Sequence, residues 1–323
     1  MTDRAAVIDA FLAESQWAAW QRRPLTGDAS SRRYERLTDG VECAILMDAP
    51  LENGATTAIF ARITTVLQDV GLSPPNILAH DISLGIMVLS DLGTDDFAGW
   101  LTKHPSESLG LYRAATDVLV HLQSTPAPTD LIHMTPAIGA QMVEITGEFY
   151  ASNPTSDLTQ EVHHAMMQLA PVADILSLRD FHAENLIWRP DQTGYAQVGL
   201  LDYQDAFVAP AGYDLASLLR DVRRDIDPGL AQEVTAYFMA KTGAGTDFPA
   251  QLACLGAQRN LRILGVFARL SKVMGKKRYI DLIPRVWANL MADLRHPELA
   301  KLQQAVHDTL PVPDAATLHR LRT

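Results

Sequence analysis

Cysteine is nearly absent. Cys43 and Cys254 stand far apart in 323 residues, too few for a disulfide framework or a zinc cluster. Both are expected to be reduced, buried, small apolar fillers, as in a cytosolic protein. No apolar run approaches the roughly 18 residues of a membrane span. Asp3, Asp9 and Glu14 interrupt the first segment, which therefore lacks the unbroken apolar core of a signal peptide. Positive charge is in deficit: 27 Lys and Arg against 38 Asp and Glu give a formal net charge of −11. That balance argues against nucleic acid or an anionic membrane as partner, although solubility alone accounts for an acidic surface. No internal repeat or low-complexity tract is visible. The chain reads as soluble and cytoplasmic.

What is present is ordinary globular material, 47% hydrophobic and 20% charged, enough for two domains at roughly 100–200 residues each. Spacing predicts a helix from Arg4 to Trp20, a turn joining two strands from Leu25 to Tyr34, and a short strand from Cys43 to Met47. A helix follows over Thr56–Val70, stopped by Gly71 and Pro74-Pro75. Gly85 marks a hairpin within Ile77–Leu92. After Gly93 the pattern turns helical: Thr94–Trp100, Ser106–Gln123, Ile138–Tyr150, Thr159–Leu169, and nearly everything from Tyr213 to Arg320. One strand-rich island, Leu176–Val208, interrupts it. The fold class is therefore α+β: a small lobe over residues 1–93 and a larger, mainly helical lobe over residues 94–323.

The island carries the chemistry. Leu186-Ile187-Trp188 and Val198–Leu201 flank a polar turn containing Pro190, Asp191 and Gly194, which is a β-hairpin. Asp180 and Asn185 precede its first strand; Asp202 and Asp205 follow its second. The hairpin is expected to gather these four at one edge. Phosphoryl transfer needs a group to orient and deprotonate the attacking hydroxyl, and oxygen ligands for Mg²⁺. An Asp, an Asn five positions on and an Asp after a hairpin supply that set, as in the catalytic loop and D-F-G of protein kinases. The bland alternative is a solvated turn with capping carboxylates.

The spacing Asp180-x-His182-x-x-Asn185, then Leu200-Leu201-Asp202, then Tyr213-Asp214-Leu215-Ala216, resembles the aminoglycoside phosphotransferase/choline kinase family over nearly the whole chain. The resemblance implies a bilobal protein-kinase-like fold with a small antiparallel-sheet N-lobe and a mainly helical C-lobe. Local wording is similar to a bacterial branch that phosphorylates the anomeric hydroxyl of N-acetylmuramic acid and N-acetylglucosamine in cell-wall recycling. It includes Gly27-Asp28-Ala29-Ser30, Met47-Asp48-Ala49-Pro50, Leu89-Ser90-Asp91-Leu92-Gly93, Asp202-Tyr203-Gln204-Asp205-Ala206 and Val266-Phe267-Ala268-Arg269-Leu270. The implied cofactors are ATP and Mg²⁺, and the implied partner is a small-molecule amino sugar. By the same resemblance Asp180 is the catalytic base, and Asn185 and Asp202 hold the metal. Gly27, Ser30, Ser31 and Arg32 cover the phosphates, with Ser90 and Leu92 holding adenine. Arg179, His182, Glu184 and Asp205 are candidates to face substrate.

Three features depart from the family pattern. Leu178 and Arg179 stand where His and Gly often precede the catalytic Asp. The Gly27–Arg33 loop has a single glycine. Cys43–Asp48 contains no lysine or arginine, so the usual strand lysine for the phosphates is missing; Arg32, Arg33 and Arg36 are candidate replacements. His182 is expected to be a structural histidine and Asp214 a helix N-cap. Arg262, Arg269 and Lys272 lie on a late helix, Ala257–Met274, either as a solvated basic face or partly aimed at an anionic group. Rival readings are a kinase for an aminoglycoside, choline-like or hydroxy-amino compound, a nucleotide-binding pseudokinase acting as an interaction module, and a metal-dependent hydrolase.

Overall fold

The computed structural model describes residues 4–25, 32–50, 56–151 and 154–323. Two compact units emerge: residues 1–100 with 185–204, and residues 101–184 with 205–323. The first unit reaches past Gly93 to Trp100 and takes in the island's hairpin.

The first unit is built on a five-stranded antiparallel sheet of order β1-β2-β3-β5-β4. Its strands are β1 Gln21–Leu25, β2 Arg33–Thr38, β3 Cys43–Asp48, β4 Ile77–Asp81 and β5 Ile86–Ser90. The helices α1 Arg4–Ala13 and α2 Thr56–Asp69 belong to the same unit. Buried Leu37, Ala44, Leu46, Ile86 and Val88 of the sheet pack with Ile8 and Leu12 of α1 and with Trp17. Each such aliphatic side chain contributes about 1.5–3 kcal/mol on burial, which seats α1 on one face of the sheet. The expected first helix is shorter than its periodicity, because Ser15 turns back on Leu12: its N–H and Oγ both donate to Leu12 O, at 2.9 and 2.7 Å. The first helix after Gly93, α3 Phe97–Lys103, starts three residues later than its spacing suggests. Cys43 is exposed, contrary to expectation, because it opens β3 at the sheet's end; Cys254 is buried as expected.

The hairpin strands β7 Leu186–Trp188 and β8 Val198–Leu200 pair with Leu186 opposite Leu200. They join the first unit through backbone bonds from Leu200 N to Ser73 O and from Trp188 N to Asp95 O, at 3.0 and 2.8 Å. Phe97 meets Trp188 edge to face, and Phe60 stacks on Tyr203.

The second unit is helical apart from one strand pair. Its helices begin with α4 Ser108–Gln123, α5 Pro136–Gln141, α6 Glu144–Phe149 and α7 Ser156–Leu169. The single helix read over Ile138–Tyr150 is thus two, broken at Met142-Val143. After the strand pair β6 Ile175–Ser177 and β9 Phe207–Ala209 come α8 Tyr213–Leu219, α9 Pro228–Thr242, α10 Phe248–Met274, α11 Ile283–Asp293, α12 Ala300–Thr309 and α13 Ala315–Arg322. α10 is the axis, at about 1.5 Å rise per residue roughly 40 Å long. Its apolar residues are buried nearly all round against α6, α8, α11 and α13. Gly265 permits the closest approach: a Cβ there would lie 2.6 Å from the Ile145 and Thr146 backbone of α6.

Candidate active site

In the first unit, the hairpin register sets Asn185 beside Leu201, whose N–H donates to Asn185 O at 3.0 Å. Asp202 comes next. Its φ of 56° is left-handed, a conformation that Asp adopts more readily than most side chains. Its Oδ1 accepts from Gln204 Nε2 at 2.8 Å and faces Arg32 Nη1 at 3.2 Å. An amide and a carboxylate are hard oxygen donors, and a pair of this kind suits Mg²⁺, which completes its shell with phosphate and water. No cluster of three or more His, Cys, Asp or Glu able to hold a metal occurs among the described residues.

The strand without a lysine ends in a buried carboxylate. Asp48 Oδ1 accepts from Arg4 Nε and Nη2 at 2.8 and 2.5 Å, and Arg4 Nη2 also donates to Leu84 O at 2.7 Å. Arg36 is committed to Asp91, with Nε 2.6 Å from Oδ2. Arg33 is exposed. Of the three candidate phosphate cations, Arg32 alone is seen beside Asp202. Gly27, Ser30 and Ser31 lie outside the described residues. Ser90 N donates to Asn76 O and Ser90 Oγ accepts from Asn76 N, both at 2.8 Å, so its N–H is already used within the sheet. Leu92 packs toward Gly199, where a Cβ would meet its side chain at 2.9 Å.

In the second unit, β6 and β9 pair Ser177 with Phe207, which brings the start of the Asp180 loop beside the entry to α8. Asp214 exploits this. It is no N-cap: Gly212 holds that position, and the buried Asp214 carboxylate accepts from Ser177 Oγ, Leu178 N and Arg179 N at 2.7, 2.6 and 2.9 Å. Burial pushes its pKa up to about 6 against those three donors.

Arg179 sits at φ 71°. Its carbonyl accepts from Arg259 Nη1 at 2.6 Å, and its guanidinium lies over the Phe207 ring, 5.6 Å from the centroid. Asp180 follows, with its side chain 37% exposed and Oδ1 3.6 Å from Arg259 Nη2. Burial favours its protonated form, but Arg259 first, with His182, Arg179 and Arg262, outweighs that and holds the carboxyl below its ordinary range. Asp180 is therefore an ionised acceptor at neutral pH.

His182 is buried, and its Nε2 accepts from Arg223 Nη1 at 3.2 Å. Burial, then Arg223, lowers its pKa to about 4. A neutral histidine fixed this way is an acceptor for Arg223 and carries no proton to Asp180 at neutral pH. Arg223 Nε also binds Glu184 Oε2 at 2.8 Å, so Glu184 is engaged within the loop's own support. Asp205 is exposed ahead of β9. On α10, Arg269 and Lys272 are exposed while Arg262 is half-buried. Sequence reading missed Arg259 and Arg223. The visible signal was for Arg259: it lies three residues before Arg262, on the same helix face.

A small antiparallel-sheet unit, a helical unit, an Asp loop and an Asp-bearing hairpin define a kinase-like phosphotransferase. The phosphotransferase enzyme family matches residues 21–248, and the chain belongs to that family. It is an ATP-dependent small-molecule kinase, transferring phosphoryl to an alcohol group. A curated relative, the N-acetylmuramate/N-acetylglucosamine kinase of Caulobacter vibrioides, is 34% identical over 96% of this chain and 98% of its own. The enzyme of the same name from Pseudomonas aeruginosa is 28% identical over 86% of each. Among solved structures, a choline/ethanolamine kinase family protein from Mesorhizobium loti superposes with TM-score 0.66 at 17% identity, covering 95% of this chain and all of that one. An aminoglycoside-3'-phosphotransferase of type VIII gives 0.57 at 17% identity, covering 81% of this chain and all of its own. At these identities the solved structures speak for the fold. No described helix is long and apolar enough to cross a membrane.

Proposed function

We propose that the protein phosphorylates the anomeric hydroxyl of N-acetylmuramic acid and N-acetylglucosamine, acting in the cytoplasm in cell-wall recycling. The match to the Caulobacter kinase along almost its full length carries this reading. Asp180 accepts the hydroxyl proton, O1 bonds to the γ-phosphorus, and the β–γ bridging oxygen leaves with ADP. A carboxylate held below its ordinary pKa is a weak base, so its work is to orient the hydroxyl and take the proton late, as a loose phosphoryl transition state requires. Asn185 and Asp202 would hold Mg²⁺, which when bound would supply positive charge against the nucleotide phosphates. Arg32 stands in for the absent strand lysine, and Leu92 backbone groups hold adenine. Most of the acceleration comes from positioning and fixed charge.

The positive charge acting on Asp180, Arg259 foremost, favours an anionic substrate over a cationic one. Coupled ADP release with each sugar tests the proposal. Turnover of one or both is expected; turnover of neither, with ATP and Mg²⁺ bound, would favour the interaction-module reading.

A further inference from the structure

Asp180 stands among more positive charge than it can neutralise. Arg259 is spent: its Nη1 holds Arg179 O, its Nη2 faces Asp180, and its guanidinium lies over the Tyr213 ring, 5.5 Å from the centroid. Arg262 lies one turn along α10 on the same face. It is half-buried, and among the described residues its guanidinium forms no hydrogen bond or ion pair. Arg179 is likewise half-buried; its guanidinium lies over the Phe207 ring and, among the described residues, forms no hydrogen bond or ion pair. Three guanidiniums thus act on the single carboxyl of Asp180, since Asp214 already accepts from three of the loop's own donors.

The arrangement is costly twice over. Arg262 has its pKa lowered, first by burial and then by Arg179, and Asp180, shared with Arg259, does not offset this. Arg179 adopts a left-handed φ of 71°, where a glycine would be unstrained. Backbone strain at a non-glycine residue next to a reactive carboxylate points to a side chain retained for use.

We propose that Arg262 and Arg179 form a carboxylate subsite beside Asp180, which binds the lactyl carboxylate of N-acetylmuramic acid and so sets the preference for the acid sugar over the neutral one. This rests on the amino-sugar reading above. A planar guanidinium grips a carboxylate with two parallel hydrogen bonds, and the lactyl ether on C3 is the sole anionic group of that sugar. N-acetylglucosamine lacks it and enters the same pocket without this contact.

The test compares the two sugars in one enzyme. Arg262→Gln and Arg179→Gln are assayed for kcat/KM by coupled ADP release, with Arg262→Lys as the conservative variant. Each Gln variant should lose tenfold or more with N-acetylmuramic acid relative to its loss with N-acetylglucosamine, mainly through KM, and Lys should restore part of it. Equal losses on both sugars overturn the inference and assign the arginines to the phosphoryl group instead; no loss on either overturns it too. Should a variant fail to fold, wild-type protein decides. KM for N-acetylmuramic acid should rise several-fold between 50 and 500 mM KCl, over which the Debye length shrinks from about 14 to about 4 Å, while that for N-acetylglucosamine holds. Parallel salt curves overturn the subsite. Wild-type turnover of neither sugar refutes the amino-sugar reading itself.

Discussion

Replacing His182 by Gln should exchange a small loss at neutral pH for a gain in acid. The imidazole is buried and neutral, its Nε2 accepting from Arg223 at 3.2 Å. A glutamine oxygen can take that hydrogen bond, so the cost at pH 7.5 is imperfect packing, about 1 kcal/mol. In acid the histidine becomes a liability. Its pKa falls from 6.5 to about 4 on folding, so between these values the unfolded chain binds a proton that the folded one refuses. Stability is full above pH 6.5 and is lost as pH falls toward 4, by about 1.4 kcal/mol per unit. At pH 4.5 the loss approaches about 3 kcal/mol, and the glutamine variant escapes it. The variant should therefore be less stable than wild type at pH 7.5 and more stable by about 1–2 kcal/mol at pH 4.5. Urea unfolding followed by tryptophan fluorescence, repeated across this range, reads the crossing directly. Curves that stay parallel would refute the neutral, buried assignment. Because a neutral acceptor moves no proton for Asp180, kcat should fall less than tenfold.

Asp180→Asn should lower kcat by about 10³-fold or more, measured by ADP release, with the circular dichroism of the folded protein retained; near-normal turnover would remove its role. Asp214→Ala leaves the buried Leu178 N–H without an acceptor, at about 1–3 kcal/mol. It also frees the Asp180 loop, so kcat should drop by about 10²-fold while the KM for ATP changes little. Asp202→Asn removes the only full charge of the proposed metal pair, and activity should then need several-fold more Mg²⁺ in a titration. The same exchange, glycine to alanine, should act with opposite signs at two helical sites: Gly110 has nothing within 4 Å of its added Cβ and should gain about 0.5–1 kcal/mol. Gly265 would press its Cβ into the α6 backbone and should lose about 2–4 kcal/mol in thermal unfolding.

The linear order of residues was enough for the class of protein and for the hairpin that carries Asn185 and Asp202. Hydrophobic period distinguished the short strands from the long helices, and turn residues at Gly85 and around Pro190–Gly194 placed both hairpins, because these are local properties of the backbone. Hairpin register follows from the turn, so Asn185 and Asp202 were legible as neighbours. The aspartate at 180 stood out by its spacing from them. Only the tertiary structure decided what surrounds that aspartate. Arg259 is 79 positions away on α10, and it arrives because that helix is buried nearly all round and must lie along the unit's centre. Asp214 reads locally as a helix cap, yet the β6–β9 pairing turns it onto the Asp180 loop instead. That Arg262 is half-buried while Arg269 is exposed was undecidable from their period, since it depends on which neighbours cover α10. Charge and period are written in the chain, but desolvation and partnership, which convert a charge into chemistry, are made by distant segments meeting.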